Sequence, residues 1–184
     1  MYDRVVVLVD AQNDFISPDA LGSAEALAAA ERIADEFGER YENWVHNPSY
    51  QVLYIATYDC HEPERYETTV EGQKVPPHCI VGTEGWNMDP VISAHAPEFS
   101  TVLKSTFGSF TLPKIIEAAG IDENTVIELW GFCTNICVIS NALILRSAFP
   151  NNRIEIKEKC CAGTSPEAHA AALLVARSNL IEVV

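Results

Sequence analysis

Positive charge is scarce in this chain. Twelve lysines and arginines stand against 26 aspartates and glutamates, a formal net charge of −14 over 184 residues. No basic stripe interrupts that acidity, which excludes the electrostatic footprint needed by nucleic acids or anionic membranes. No run of 18 apolar residues occurs, so no segment reads as a membrane span. Met1 is followed directly by Tyr2-Asp3-Arg4 and a strand-like run, without the apolar core of a signal peptide. A cytoplasmic protein is expected. No Gly-rich loop follows that first run, so a phosphate cradle is missing. There is no internal repeat, low-complexity tract or linker, and one domain over residues 1–184 is expected. The six cysteines (Cys60, Cys79, Cys133, Cys137, Cys160 and Cys161) show no zinc-finger spacing, and adjacent Cys160-Cys161 suits a disulfide framework poorly. Reduced thiols follow.

What is present is a regular alternation of buried strands and amphipathic helices. Arg4–Val9, Gln51–Thr57 and Thr125–Trp130 are predominantly apolar runs of the kind covered on both faces of a sheet. Ser100–Lys104 is a shorter strand. Arg153–Lys157, with alternating polar residues, reads as a strand nearer an edge, and Leu180–Val184 closes the sheet. Ser23 caps a helix carrying Leu27, Ala30, Ile33, Ala34 and Phe37 on one side. Pro113 and Ser165-Pro166 open two more, and a further helix follows Asn135. Residues 58–98 are long and weakly periodic, as functional loops are. The expected fold class is a three-layer α/β/α domain with a mostly parallel, six-stranded, Rossmann-like sheet.

In such a sheet the ligand site lies beyond the carboxyl ends of the strands. Asp10 ends the first strand, Lys104 the third, and Cys137 opens the helix after the strand at 125–130. Each has a plain alternative: turn former, solvated lysine, small core residue. Their placement on one rim favours joint chemistry. A thiol at a helix start has its thiolate stabilised; a carboxylate can take and return a proton, and an ammonium holds negative charge beside sulfur. Backbone amides around Thr134–Cys137, those of Cys133 and Cys137 among them, are the candidate oxyanion donors. This constellation suits acyl transfer to sulfur and then hydrolysis, so an amide substrate. Asp59 and His61 also end a strand, and alternate residues of an extended chain point the same way. With His78 in the long loop they form a candidate metal set, or are simply polar loop residues.

Asp10-Ala-Gln-Asn-Asp-Phe15, Lys104 in Leu-Lys-Ser-Thr-Phe, and Gly131-Phe-Cys-Thr-Asn-Ile-Cys137-Val together resemble the isochorismatase-like cysteine hydrolase superfamily, especially its nicotinamidases. The resemblance spans essentially the whole chain. It implies Asp10, Lys104 and Cys137 as a catalytic triad, a cis peptide at Phe132–Cys133, and one divalent ion (zinc first, manganese or iron as alternatives) on Asp59, His61 and His78. It offers Glu67 as a further ligand, with Glu64 and Glu71 as alternatives, and suggests a homo-oligomer, most simply a dimer. The ion would hold a pyridine nitrogen or a water while Phe15 offers the ring an aromatic face. Two departures stand out. The family's usual Thr-Asp before the cysteine is Thr134-Asn135, and the aromatic wall three residues before the second metal histidine is Val75. Trp86 or Phe110 could fill that space. The leading expectation is a cysteine amidohydrolase, nicotinamide plus water giving nicotinate and ammonia. The rivals are a superfamily hydrolase of an N-carbamoyl, ureide or vinyl-ether substrate, and a non-enzymatic flavodoxin-like binding domain.

Overall fold

The computed structural model describes residues 2–184. Six strands form one sheet: β1 (Arg4–Val9), β2 (Val52–Asp59), β3 (Ser100–Lys104), β4 (Val126–Phe132), β5 (Ile154–Ala162) and β6 (Glu182–Val183). Their order across the sheet is β3-β2-β1-β4-β5-β6 and every pairing is parallel. The chain builds outwards from β1 on one side, then crosses to build outwards from β4 on the other. The connections therefore diverge between β1 and β4 and open a crevice at their carboxyl ends, where sheets of this kind place ligands.

The period of two along β1 decides the layers. Val5, Val7 and Val9 face α5 (Leu112–Ala118), α6 (Ile139–Ala148) and α7 (Pro166–Ser178), packing with Ile116, Leu145 and Leu173. Val6 and Leu8 face the opposite way, onto α2 (Ala24–His46) through Ala26, Ala30, Ile33 and Phe37. Three four-residue elements complete the connections: α1 (Asn13–Ile16), α3 (Pro63–Tyr66) and α4 (Pro90–Ser93) are single turns of the loops. As expected, Ser23 and Ser165 cap α2 and α7, accepting from the amides of Ala26 and Ala168. Among the described residues no helix is long and apolar enough to cross a membrane, and all six cysteines are free thiols.

Two elements depart from their expected form. Leu27 is exposed, because the buried stripe of α2 is centred one residue earlier, on Ala26, Ala30, Ile33 and Phe37. Strand β5 runs five residues beyond Lys157. Its pairing with β4 shifts register between Leu129 and Gly131, so the polar stretch Lys157-Glu158-Lys159 bulges out before Cys161 and Ala162 rejoin the sheet. Lys157 and Lys159 there pair with Glu36 of α2, and Lys157 and Arg40 lie over the ring of Trp130. Gly131 at this shift has φ +122°, and a Cβ would lie 2.0 Å from the Val9 carbonyl oxygen. Only glycine lets β4 pass β1 so closely.

Candidate active site

Asp10, Lys104 and Cys137 meet in the crevice between β1 and β4. Asp10 follows β1 with a left-handed backbone, φ +49°, which aspartate tolerates better than most residues. Its carboxylate is wholly buried, accepting from the Thr57 hydroxyl at 2.6 Å and pairing with the Lys104 ammonium at 2.6 Å. Lys104 ends β3, and its Nζ lies 3.6 Å from Cys137 Sγ. Cys137 belongs to a π-helical turn, Thr134–Val138, which joins β4 to α6. In that wider turn the Val138 amide donates to the Cys133 carbonyl five residues back, at 3.2 Å. The Phe132–Cys133 peptide is cis, as the resemblance implied. Cys133 and Cys137, the expected oxyanion donors, thus stand at the start and near the end of one turn.

The electrostatics correct one expectation. Cys137 is only 3% exposed. Burial, reinforced by the carboxylates of Asp10 and Asp59, pushes its thiol well above the ordinary cysteine value despite Lys104. That direction favours the thiol over a helix-stabilised thiolate. The thiol therefore needs a base, and burial has raised Asp10 above the usual carboxylate range even with Lys104 opposing. Burial alone would lower Lys104, but Asp10, Cys137 and Asp59 reverse that and keep it charged.

Asp59, at the end of β2, belongs to two sets of contacts. Its Oδ1 is 3.5 Å from Lys104 Nζ, while its Oδ2 is 3.1 Å from His61 Nε2 and 3.4 Å from His78 Nε2. The fourth member is Glu71, 3.4 Å from His78 Nε2 and 3.8 Å from His61 Nε2. Donor atoms of these four residues lie within 4.8 Å of one another, and all but half-buried Glu71 are buried. Two carboxylates and two imidazoles suit a divalent ion of the zinc, manganese or iron type. The field agrees. Burial should lower His78, yet hydrogen bonds with Asp59, Glu71 and the Pro76 carbonyl raise it to about 10. Burial likewise opposes ionisation of Asp59, but bonds from His61 and His78 and the charge of Lys104 hold its carboxyl well below the usual range. The cluster attracts positive charge.

Other expectations divide. Glu67, at the end of α3, and Glu64 are exposed and outside the cluster, and it is Glu71 that joins it. Phe15 lies beside the cluster, its ring 5.3 Å from that of His78 and edge-on to it. Phe110 is 80% exposed and lines nothing. Trp86 is half-buried against Tyr58, ring centroids 6.0 Å apart, and Val75 gives its carbonyl to Tyr66. Cys60 is the one half-exposed cysteine and lies outside the ligand cluster.

Several supporting residues carried no sequence signal of their own. Gln12 bridges loops, donating to the carbonyls of Asp59 and Trp86 (both 2.9 Å) and accepting from the Asp59 amide at 2.8 Å. Asn141 donates to the Cys137 carbonyl at 2.8 Å and accepts from the Ser109 amide at 2.9 Å, tying the turn that carries Cys137 to the segment after β3. Thr134 bonds His169 of α7 at 2.8 Å. Asn135, in place of the usual aspartate, accepts from the Thr164 amide at 2.9 Å and donates to its hydroxyl at 3.0 Å. An amide side chain suffices for that clamp. Gln12 lies within the Asp10–Phe15 motif and Thr134 and Asn135 within the Gly131–Val138 motif, whereas nothing in the sequence marked Asn141 or His169.

Comparison with known proteins agrees with this architecture. The nicotinamidase/pyrazinamidase of Mycobacterium tuberculosis (strain ATCC 25618 / H37Rv) is 26% identical over 196 residues, covering 98% of either protein. Nicotinamidase/pyrazinamidase PncA from Bacillus subtilis superposes with a TM-score of 0.80 at 23% identity over 100% of both chains. Pyrazinamidase of Pyrococcus horikoshii, solved in complex with zinc, gives 0.75 at 22% identity, covering 99% of this chain and 98% of that one. Those structural likenesses speak for the fold. The Isochorismatase domain family model matches residues 4–184, and the chain therefore belongs to the isochorismatase family of hydrolases.

Proposed function

We propose that the protein is a cysteine amidohydrolase of small aromatic carboxamides, with nicotinamide as the leading substrate. The observation that carries this reading is the position of Lys104. One ammonium touches the base at 2.6 Å, the nucleophile at 3.6 Å and a carboxylate of the cation-binding cluster at 3.5 Å. Thiol chemistry and ligand capture therefore share one site.

In the proposed cycle Asp10 takes the Cys137 proton as sulfur bonds to the carboxamide carbon. Lys104, still charged, balances the negative charge, and the amides of Cys133 and Cys137 receive the developing oxyanion. Asp10 then returns the proton to nitrogen, the C–N bond breaks, and ammonia leaves. Water attacks the resulting thioester with Asp10 again as base; the C–S bond breaks, releasing the acid and restoring the thiol. Bound at Asp59, His61, His78 and Glu71, a divalent ion would supply a Lewis-acid grip on a pyridine nitrogen or a water. Phe15, edge-on to His78, would border the ring.

The rival N-carbamoyl or ureide substrates want a cationic clamp for a carboxylate. Arg65 and Lys74, the cations of the long loop, both face solvent, which favours the carboxamide. The test measures ammonia release from nicotinamide, pyrazinamide and aliphatic amides, with metal content followed in parallel. Release from the two aromatic amides and not the aliphatic ones supports the reading. Metal-replete protein that releases no ammonia from any of them would sink it.

A further inference from the structure

Tyr66 has no place in the reaction, yet it is 2% exposed and packs against both histidines of the cluster. Its ring lies edge-on to His61 and His78, with centroid separations of 4.8 and 5.5 Å. Its backbone carbonyl accepts from the Thr69 amide and hydroxyl, which starts the turn leading to Glu71. Gly72, next to Glu71, packs so closely on that carbonyl that a Cβ would lie 2.1 Å from its oxygen. The hydroxyl sits at 3.1 Å from the carbonyls of Val75 and Pro76 and 3.0 Å from His78 Nδ1.

The hydrogen-bond inventory then fixes the arrangement. His78 presents Nε2 to Asp59 and Glu71, so a cation-ligating His78 must keep its proton on Nδ1. Nδ1 faces the Pro76 carbonyl at 2.9 Å and the Tyr66 oxygen. The phenol has one proton, which it can give to Val75 or Pro76, leaving its lone pairs to accept from Nδ1–H. Ring, hydroxyl and backbone act together to hold the loop ligands at one spacing. From this geometry we infer that Tyr66 is a positioning residue of the metal centre, setting the tautomer and orientation of His78 and the return of the chain to Glu71. The inference rests on the metal-centre reading above. Partners of this kind behind a ligating histidine typically contribute about 10–100-fold in metal affinity.

The test is Tyr66→Phe, which keeps the ring and removes only the hydroxyl, with Tyr54→Phe at the far end of β2 as a control for loss of a half-buried phenol. Zinc affinity is measured by competition with a chromophoric chelator. Thermal unfolding is followed with and without zinc, and cobalt-loaded proteins are compared by visible absorption. The expected result is at least about tenfold weaker zinc binding in Tyr66→Phe alone, a smaller zinc-induced rise in melting temperature, and an altered cobalt spectrum. A purely structural role would lower both melting temperatures together and leave the zinc-induced rise and the spectrum as in the wild type; that result, or unchanged affinity, overturns the inference. Wild-type protein that binds no zinc, manganese, iron or cobalt would instead refute the metal centre itself.

Discussion

Replacing Lys104 by methionine tests the electrostatic core of the site. The ammonium is the one positive charge beside the wholly buried Asp10 carboxylate, and it also faces Asp59. Without it a buried carboxylate loses its partner, which typically costs ~3–5 kcal/mol. That is a large part of the ~5–15 kcal/mol that holds a typical domain folded. At roughly 2–4 °C per kcal/mol for a chain of this size, the midpoint should fall by about 6–20 °C. Burial already raises Asp10, and loss of the cation should raise it further. Between the unfolded and folded values of Asp10 the folded mutant binds a proton that the unfolded chain has given up, so its deficit shrinks as pH falls through Asp10's folded value. The assay is thermal unfolding of chelator-treated protein between mildly acidic and mildly alkaline pH, for the wild type, Lys104→Met, Asp10→Asn and the double variant. The double variant should regain much of the stability and none of the turnover. A Lys104→Met midpoint within about 1 °C of the wild type, with no pH dependence of the difference, would refute the reasoning.

Cys137→Ala should fold normally and lose at least about 10³-fold in turnover, read by steady-state ammonia release. Iodoacetamide should reach half-exposed Cys60 without loss of activity, while inactivation should track alkylation of Cys137, read by peptide mapping. Glu71→Gln should lower zinc affinity measurably, whereas Glu67→Gln should leave it unchanged, as chelator competition will show. Glu36 is held below its ordinary value of 4.5: burial opposes this, but bonds from Lys157 and Lys159 outweigh it. Its contribution to stability is therefore present above 4.5 and lost as pH falls towards its folded value, so Glu36→Gln should flatten the acid limb of the melting-temperature profile.

The sheet was legible because burial on both faces leaves a strong mark. Val5 to Val9 and Ile55-Ala56 are apolar without interruption, Ile127 to Trp130 is broken only by Glu128, and helices between them dictate parallel pairing. From there Asp10, Lys104 and Cys137 could be assigned to one rim, since strand ends in a parallel sheet share a direction. Legibility failed where tertiary contact overruled local pattern. The polar Lys157-Glu158-Lys159 stretch masked the continuation of β5, because its side chains serve Glu36 and Trp130 across a register shift. The electrostatics around Cys137 run against its local position for a related reason. A helix start favours a thiolate, but nearly complete burial and two neighbouring carboxylates weigh more, and neither is visible in residue spacing.

The fourth ligand shows where spacing ceases to inform. Glu67 and Glu71 are chemically equivalent, and their offsets from His61 fit no regular period that could choose between them. The choice is made by the turn after α3: Tyr66 buries itself against both imidazoles, which sends Glu67 outwards into water. Thr69 then caps the Tyr66 carbonyl, and Gly72 can approach that same carbonyl because it has no Cβ. The close approach brings Glu71 back over the histidines. A side chain larger than hydrogen at position 72 would push this turn off Tyr66 and take Glu71 with it. Which glutamate joins the cluster is thus encoded by a tyrosine and a glycine outside it, and only the folded contacts between them reveal it.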